Sequence, residues 1–272
     1  MKKCKVIAIA NQKGGVAKTT TTINLGAGLM RSGKRVLLID FDPQGDLTTA
    51  LGFNENNTKV TIKNLLEKIL NNETFEINEG VLKSKEGMEF VASNTELKAL
   101  EDYLVSANNR EYVLSSYIKK VKDDYDYILI DCQPSLGLLT INALAASDSV
   151  IIPVQAQYLP LKGMTQLLQT IKKIRALINP KLKIEGVVIT LADMQTRLAK
   201  ATEETLRSSY GSMLKIFKSI IPIATKVAEA TTEGKSIYGY DKSNKASIAY
   251  ENFCKEVIEN GERFKNRDTK CR

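Results

Sequence analysis

The sequence has no histidine, and its four cysteines, Cys4, Cys132, Cys254 and Cys271, stand far apart. No pair falls at the C-x-x-C spacing that zinc and redox centres favour, so they form no metal-ligand pattern and read as reduced thiols. Also missing is any uninterrupted apolar run of membrane length, and Met1-Lys2-Lys3 leads into the first apolar run without a signal-type segment. A soluble, cytoplasmic protein is expected. There is no internal repeat and no low-complexity tract. Asn71-Asn72-Glu73 and Lys83-Ser84-Lys85-Glu86-Gly87 are turn chemistry, too short to link domains.

What is present is a 272-residue chain, 43% hydrophobic and 26% charged, enough to bury the core of one large α/β domain. We expect that domain over residues 1–265 and a flexible tail over 266–272. The formal net charge of +8 attracts polyanions, which leaves nucleic acid and an acidic membrane surface both open.

The chain is organised around Ala10-Asn11-Gln12-Lys13-Gly14-Gly15-Val16-Ala17-Lys18-Thr19-Thr20-Thr21-Thr22. Before it, Lys5-Val6-Ile7-Ala8-Ile9-Ala10 is apolar enough for a strand buried on both faces. Beyond it, Ile23, Leu25, Leu29 and Met30 give a helical pattern from Thr19 to Arg31. A small-residue loop between strand end and helix start aims free backbone N–H groups and the positive end of a helix dipole at one spot, which suits a phosphate. Lys18 adds a point charge there, and the Thr19 hydroxyl can ligate magnesium. The strict P-loop formula wants glycine at its first position and just before the lysine, where this chain has Gln12 and Ala17.

Arg35 to Asp40 reads as a second buried strand, and Phe41-Asp42-Pro43-Gln44-Gly45-Asp46 follows it. Carboxylates thus stand at the carboxyl end of a strand, where open α/β sheets bind ligands. Asp126 to Asp131 is a strand of the same kind, and a terminal Asp131 can hold magnesium through water beside Thr19. Ser149 to Val154, Lys183 to Thr190 and Leu214 to Ile221 read as further strands. Leu138 to Leu144, Leu161 to Leu177, the Arg197–Arg207 stretch and about Ser247 to Phe264 read as helices. Between Thr49 and Lys122 the pattern is weaker, with helices at Ile62–Leu70 and Leu97–Leu104 and a strand-like Met88–Ala92, read as insertions around the sheet edge. The alternation predicts an α/β fold, a mostly parallel sheet with helices on both faces. Cys132 is expected to be a packed structural residue.

Lys13-Gly14-Gly15-Val16-Ala17-Lys18-Thr19-Thr20 resembles the deviant Walker A P-loop of the ParA and MinD ATPases. Asp40 to Asp46 is similar to that family's D-x-D-P-Q-G-N stretch, with Asp46 in place of Asn. Asp131 to Gly137 is similar to its D-C-P-P-S-L-G, with Gln133 in place of the first Pro. Gln155-Ala156-Gln157-Tyr158 stands where relatives have Q-x-E-Y, and Ile221-Pro222 resembles an Ile-Pro element that packs on adenine. Lys226 to Asp241 is similar to a further family stretch. The resemblance runs from about Lys5 to Val257 and points to the ParA/Soj family of chromosome and plasmid partitioning ATPases, with a P-loop NTPase fold.

That resemblance implies ATP and Mg2+ as cofactors. Gly14, Gly15, Val16, Ala17, Lys18, Thr19 and Thr20 would cradle the phosphates, with Pro222 and Ala224 at the adenine. Thr19, Asp42 and Asp131 would surround the metal, and Asp42 would orient the attacking water. Lys13 would reach across an ATP-sandwich homodimer to the partner's phosphates. The implied protein is a slow, nucleoid-associated, DNA-partitioning ATPase. It would bind DNA nonspecifically through Arg197, Lys200, Arg207, Lys242 and Lys245, and a ParB-like centromere-binding protein would stimulate its hydrolysis. The family's DNA-implicated arginine lies two positions earlier than Arg197 does here. Two alternatives stay open: a nucleotide-gated DNA-binding or regulatory module with negligible turnover, motivated by Ala17 and Gln133, and a MinD-like positioning ATPase. Asn266 to Arg272 lacks the bulky apolar face that a membrane-binding helix needs, so no membrane partner is expected.

Overall fold

The computed structural model describes residues 4–54, 58–156 and 160–270. Strands Lys5–Ile9 (β1), Val36–Phe41 (β2), Val81–Lys83 (β3), Glu89–Val91 (β4), Tyr127–Cys132 (β5), Ser149–Gln155 (β6), Lys183–Ala192 (β7) and Ile216–Pro222 (β8) form one sheet. The eight strands lie in the order β3-β4-β2-β5-β1-β6-β7-β8. β3 pairs antiparallel with β4 at one edge, and the other pairings are parallel.

Around the sheet stand Lys18–Arg31 (α1), Asp46–Ala50 (α2), Ile62–Leu70 (α3), Leu97–Leu104 (α4), Val113–Val121 (α5), Leu138–Ala146 (α6), Pro160–Leu177 (α7), Arg197–Tyr210 (α8), Thr225–Thr232 (α9), Ile237–Tyr240 (α10) and Lys245–Lys270 (α11). Successive side chains of a strand point to opposite faces. Ile7 and Ile9 of β1 accordingly join Leu25 and Leu29 of α1 and Tyr250, Phe253 and Val257 of α11 on one face. Val6 and Ala8 join Leu65 of α3, Leu114 and Tyr117 of α5, Leu139 of α6, and Met164 and Ile171 of α7 on the other. With both faces covered, the central strands have no polar side to show, which is why they read as continuous apolar runs. Gly26 lets α1 lie close on β2, since a Cβ there would stand 2.7 Å from Cδ2 of Leu38.

The predicted mostly parallel α/β sheet is what is found. The weakly patterned region is more structured than expected. β3 and β4 do extend the sheet edge, but α3, α4 and α5 cover a face, and α5 was not read from the sequence although Val113, Leu114, Tyr117, Ile118 and Val121 are all buried. The short helices α2, α9 and α10 were not read either. α11 continues to Lys270, beyond the tail boundary expected at 265, and no glycine or proline after Gly261 stops it.

Phe253 meets Phe217 of β8 edge-on, with ring centroids 4.8 Å apart and planes at 84°. This pair ties α11 to the edge strand. Phe253→Ala is expected to lower stability by about 3–5 kcal/mol, measured by urea unfolding.

Candidate functional site

The loop from Ala10 to Ala17 leaves the carboxyl end of β1 and enters α1 at Lys18. Asp131 of β5 is level with Ile9 on one side and with Asp40 of β2 on the other. Register alone therefore brings the glycine-containing loop and the strand-end carboxylates to one edge of the sheet. Lys18 is only 7% exposed there, and its charge acts on both Asp131 and Asp42.

Three groups missed in the sequence brace the loop: Asn11, Thr190 and Thr22. The Asn11 side chain donates to the Pro153 carbonyl at 2.7 Å and accepts from the Lys13 N–H at 3.1 Å. The Thr190 hydroxyl donates to the Val16 carbonyl at 3.0 Å. Thr22 donates to the Lys18 carbonyl at 3.0 Å and to Oδ1 of Asp131 at 3.2 Å. Each is a buried polar residue, a signal present in the sequence but shared with many structural positions.

Gly15 and Ala17 both take positive φ, 69° and 62°. Among the described residues a Cβ built on Gly14 or Gly15 would meet nothing within 4 Å, so these glycines face open space. Lys13 is exposed, with Nζ 3.5 Å from Oε1 of Gln155. Thr19 and Thr20 begin α1, half-buried. Gln157 and Tyr158 lie outside the described residues.

The carboxylates divide into different tasks. Asp40 is fully buried and accepts from the Thr48 N–H at 2.9 Å and the Thr48 hydroxyl at 2.6 Å. It thereby satisfies polar groups in the first turn of α2 and anchors that helix to the end of β2. Burial, then the negative charge of Asp131, push its carboxyl up to about 8. Asp131 is pushed up to about 7, mainly by burial, with the Thr19 hydroxyl and the Lys18 charge opposing. Among the described residues its Oδ2 is buried without a hydrogen-bond partner. Asp42 accepts from the Gln44 N–H at 2.9 Å and is also raised by burial.

This donor set suits a magnesium-bound nucleotide: an open loop lined with N–H groups, a tucked-in lysine, a threonine hydroxyl and a carboxylate oxygen lacking a partner. Cys132 is buried and its thiol is pushed up by burial, so it is an inert packing residue. Gln133 reaches Oε2 of Glu101 on α4 at 3.4 Å, and Oε1 of Glu101 accepts from the Leu139 N–H at 3.3 Å. The loop after Asp131 is thus tied to α4.

Pro222 ends β8 and Ala224 precedes α9, with Ile223 between them 60% exposed. β8 lies beyond β6 and β7 from β1, roughly 14 Å across the sheet at normal strand spacing. The basic residues are not gathered on one helix. Arg197, Lys200 and Arg207 are on α8, whose Ala199 and Leu206 face one core. Lys242 and Lys245 lie at the start of α11, which packs on the other core. Arg197, Lys200, Lys242 and Lys245 are exposed. Arg207 instead bonds Glu203 at 2.8 Å and the Phe217 carbonyl at 3.2 Å.

Two outcomes are expected. Left-handed backbone costs a non-glycine residue about 1–2 kcal/mol, so Ala17→Gly should stabilise the protein by about 1 kcal/mol, roughly 2 °C in a thermal melt. The second concerns pH without nucleotide and metal. Asp40 and Asp131 hold protons in the folded state that they release above the ordinary 3.8 when unfolded. Stability therefore falls as pH rises from about 4 towards about 8. Asp131→Asn should gain on the unsubstituted protein between pH 5 and pH 8 in urea titrations.

Residues 4–184 match the AAA domain family. The chain is 42% identical over 257 residues to the sporulation initiation inhibitor protein Soj of Bacillus subtilis, covering 94% of this chain and 99% of that protein. It is 39% identical over 256 residues to the chromosome partitioning protein ParA of Caulobacter vibrioides, covering 93% and 94%. Cobyrinic acid a,c-diamide synthase of Mycobacterium smegmatis, solved with bound ADP and magnesium, is similar with a TM-score of 0.82 and 34% identity, covering 95% of this chain and 96% of that one. The chain belongs to the ParA/Soj family of partitioning ATPases.

Proposed function

We propose that this protein is a magnesium-dependent DNA-partitioning ATPase that closes into a homodimer on ATP, holds DNA nonspecifically and lets go after hydrolysis. The observation that carries this reading is the buried Lys18 beside the partnerless carboxylate oxygen of Asp131, under a loop with open space above its glycines. In this reading Lys18 and the amides of Gly14 to Thr20 hold the phosphates. Thr19 and Asp131 hold magnesium, whose charge offsets that of the phosphate oxygens. Asp42, at the metal's edge, orients the attacking water. Pro222 and Ala224 offer backbone and apolar surface to the base.

Lys13 is exposed, and among the described residues its ammonium makes only a long bond to Gln155, so it can reach a second subunit. The DNA surface is assigned to Arg197, Lys200, Lys242 and Lys245, with Arg207 in a supporting place because its guanidinium is already engaged. Among the described residues no helix is long and apolar enough to cross a membrane. A cytoplasmic, nucleoid-associated protein working with a ParB-like partner follows from this reading, as does a low basal rate. The Gln133–Glu101 contact favours a second reading, a nucleotide-gated module with negligible turnover, because it ties down the loop beside the γ-phosphate position.

Lys18→Gln is expected to abolish ATP binding in calorimetry, and retained affinity would place the phosphate site elsewhere. DNA retardation should require ATP, fail with ADP, and weaken steeply with salt because counterions are released on binding. Asp42→Ala should keep the ATP-dependent shift and lose phosphate release. Single-turnover release no faster than in Asp42→Ala, with DNA and partner present, would favour the gated module instead.

A further inference from the structure

Ala17 sits at φ 62° and ψ 38°, a left-handed conformation at the residue immediately before α1. Glycine adopts this conformation freely, whereas alanine brings its Cβ too close to the backbone. Something must hold the loop there. On the helix side, the Ala17 carbonyl accepts the Thr21 N–H at 2.9 Å. On the other side, the Val16 carbonyl accepts the Thr190 hydroxyl at 3.0 Å. Thr190 is fully buried and Val16 is 1% exposed. Thr190 is itself fixed within β7: it pairs with Gln155 of β6, and its carbonyl accepts the Ala156 N–H at 3.1 Å.

A trans peptide points its C=O and N–H in opposite directions. Anchoring the Val16 carbonyl towards β7 therefore turns the Ala17 N–H away from Thr190 and fixes the peptide plane that sets φ of Ala17. We propose that Thr190 is a positioning residue of the phosphate loop, its hydroxyl holding Ala17 in the form that a glycine would take unaided. This rests on the nucleotide-binding reading given above. Thr190 does not touch the ligand in this scheme. It acts through the Val16–Ala17 peptide.

The proposal predicts dependence between two positions far apart in sequence. With Ala17 in place, loss of the Thr190 hydroxyl lets the loop leave the strained form, and the binding-competent fraction falls. With glycine at 17 there is no strain to escape, and the hydroxyl becomes dispensable for binding. A purely structural threonine would weaken binding equally in both backgrounds.

The experiment compares Thr190→Val, Ala17→Gly and the double variant by ATP calorimetry with magnesium. Hydrogen–deuterium exchange of residues 12–18 is followed in the same proteins without nucleotide. Thr190→Val alone is expected to weaken ATP binding about tenfold, about 1.4 kcal/mol, and to speed exchange of the loop amides. The double variant should bind within about twofold of Ala17→Gly alone and show no added exchange. Thr190→Ser, which keeps the hydroxyl, should stay within about twofold of the unsubstituted protein. Unchanged affinity in Thr190→Val, or an equal loss in both backgrounds, overturns the proposal. If the unsubstituted protein binds no ATP, the nucleotide reading falls, and the exchange pattern alone still decides the role of Thr190. Should Thr190→Val not fold, Thr190→Ala is read in the same way.

Discussion

The constraint on which the site depends is the burial of two carboxylates, Asp40 and Asp131, on adjacent strands at the same level. Neither has water to spread its charge, so each is driven towards its protonated form. The protein resolves the conflict by giving them different neighbours. Asp40 is enclosed by the Thr48 N–H and hydroxyl and becomes part of the scaffold. Asp131 has Oδ1 on Thr22 and, among the described residues, keeps Oδ2 without a donor, beside the Thr19 hydroxyl and the charge of Lys18. A cation arriving there removes a cost already present in the fold, which is a physical reason for metal and nucleotide to be taken up together.

The same arrangement links the site to the rest of the molecule. Thr48 donates to Asp40 and accepts the Ser93 N–H at 3.0 Å, so the carboxylate, α2 and the chain beyond β4 form one connected set. The loop after Asp131 is joined to α4 through Glu101. Pro153 of β6, through Asn11, and Thr190 of β7 brace the phosphate loop. Strands that never touch the ligand thus fix the backbone that would. The strain at Ala17 persists because its surroundings leave the loop little alternative.

Much of this was legible in the sequence because it rests on local pattern. Apolar runs ending in Asp40 and Asp131 gave the strands and carboxylates, and the Lys-Gly-Gly spacing gave the loop. What was not legible depends on which polar groups the fold brings together, near in the chain or far apart. Asp40 and Asp131 look alike in sequence, and only the Thr48 contacts separate them. Nothing local marks Thr190 as the partner of Val16, 174 positions away. Arg207 looked as available as Arg197 until its salt bridge to Glu203 was seen. α5 was a different kind of miss, since its buried positions recur at helical spacing and needed no tertiary information.

The distribution of positive charge makes a further point about the outer surface. Arg197 and Lys200 occupy the first turn of α8, Lys245 is the first residue of α11, and neither first turn contains an acid. Cations at helix N-termini oppose the helix dipole, a cost of about 0.3–1 kcal/mol each where exposed. Both helix starts also lie at the nucleotide end of the sheet. α8 follows the carboxyl end of β7, and Tyr250 of α11 reaches Thr21 in α1 at 3.4 Å. Arg207, ten residues further along α8, is about 15 Å away and internally paired. Basic residues that work against their own helices gain nothing from the fold. An anionic polymer laid across that end reverses the sign of their contribution, so Arg197, Lys200 and Lys245, rather than the net charge, are what the proposed DNA surface rests on.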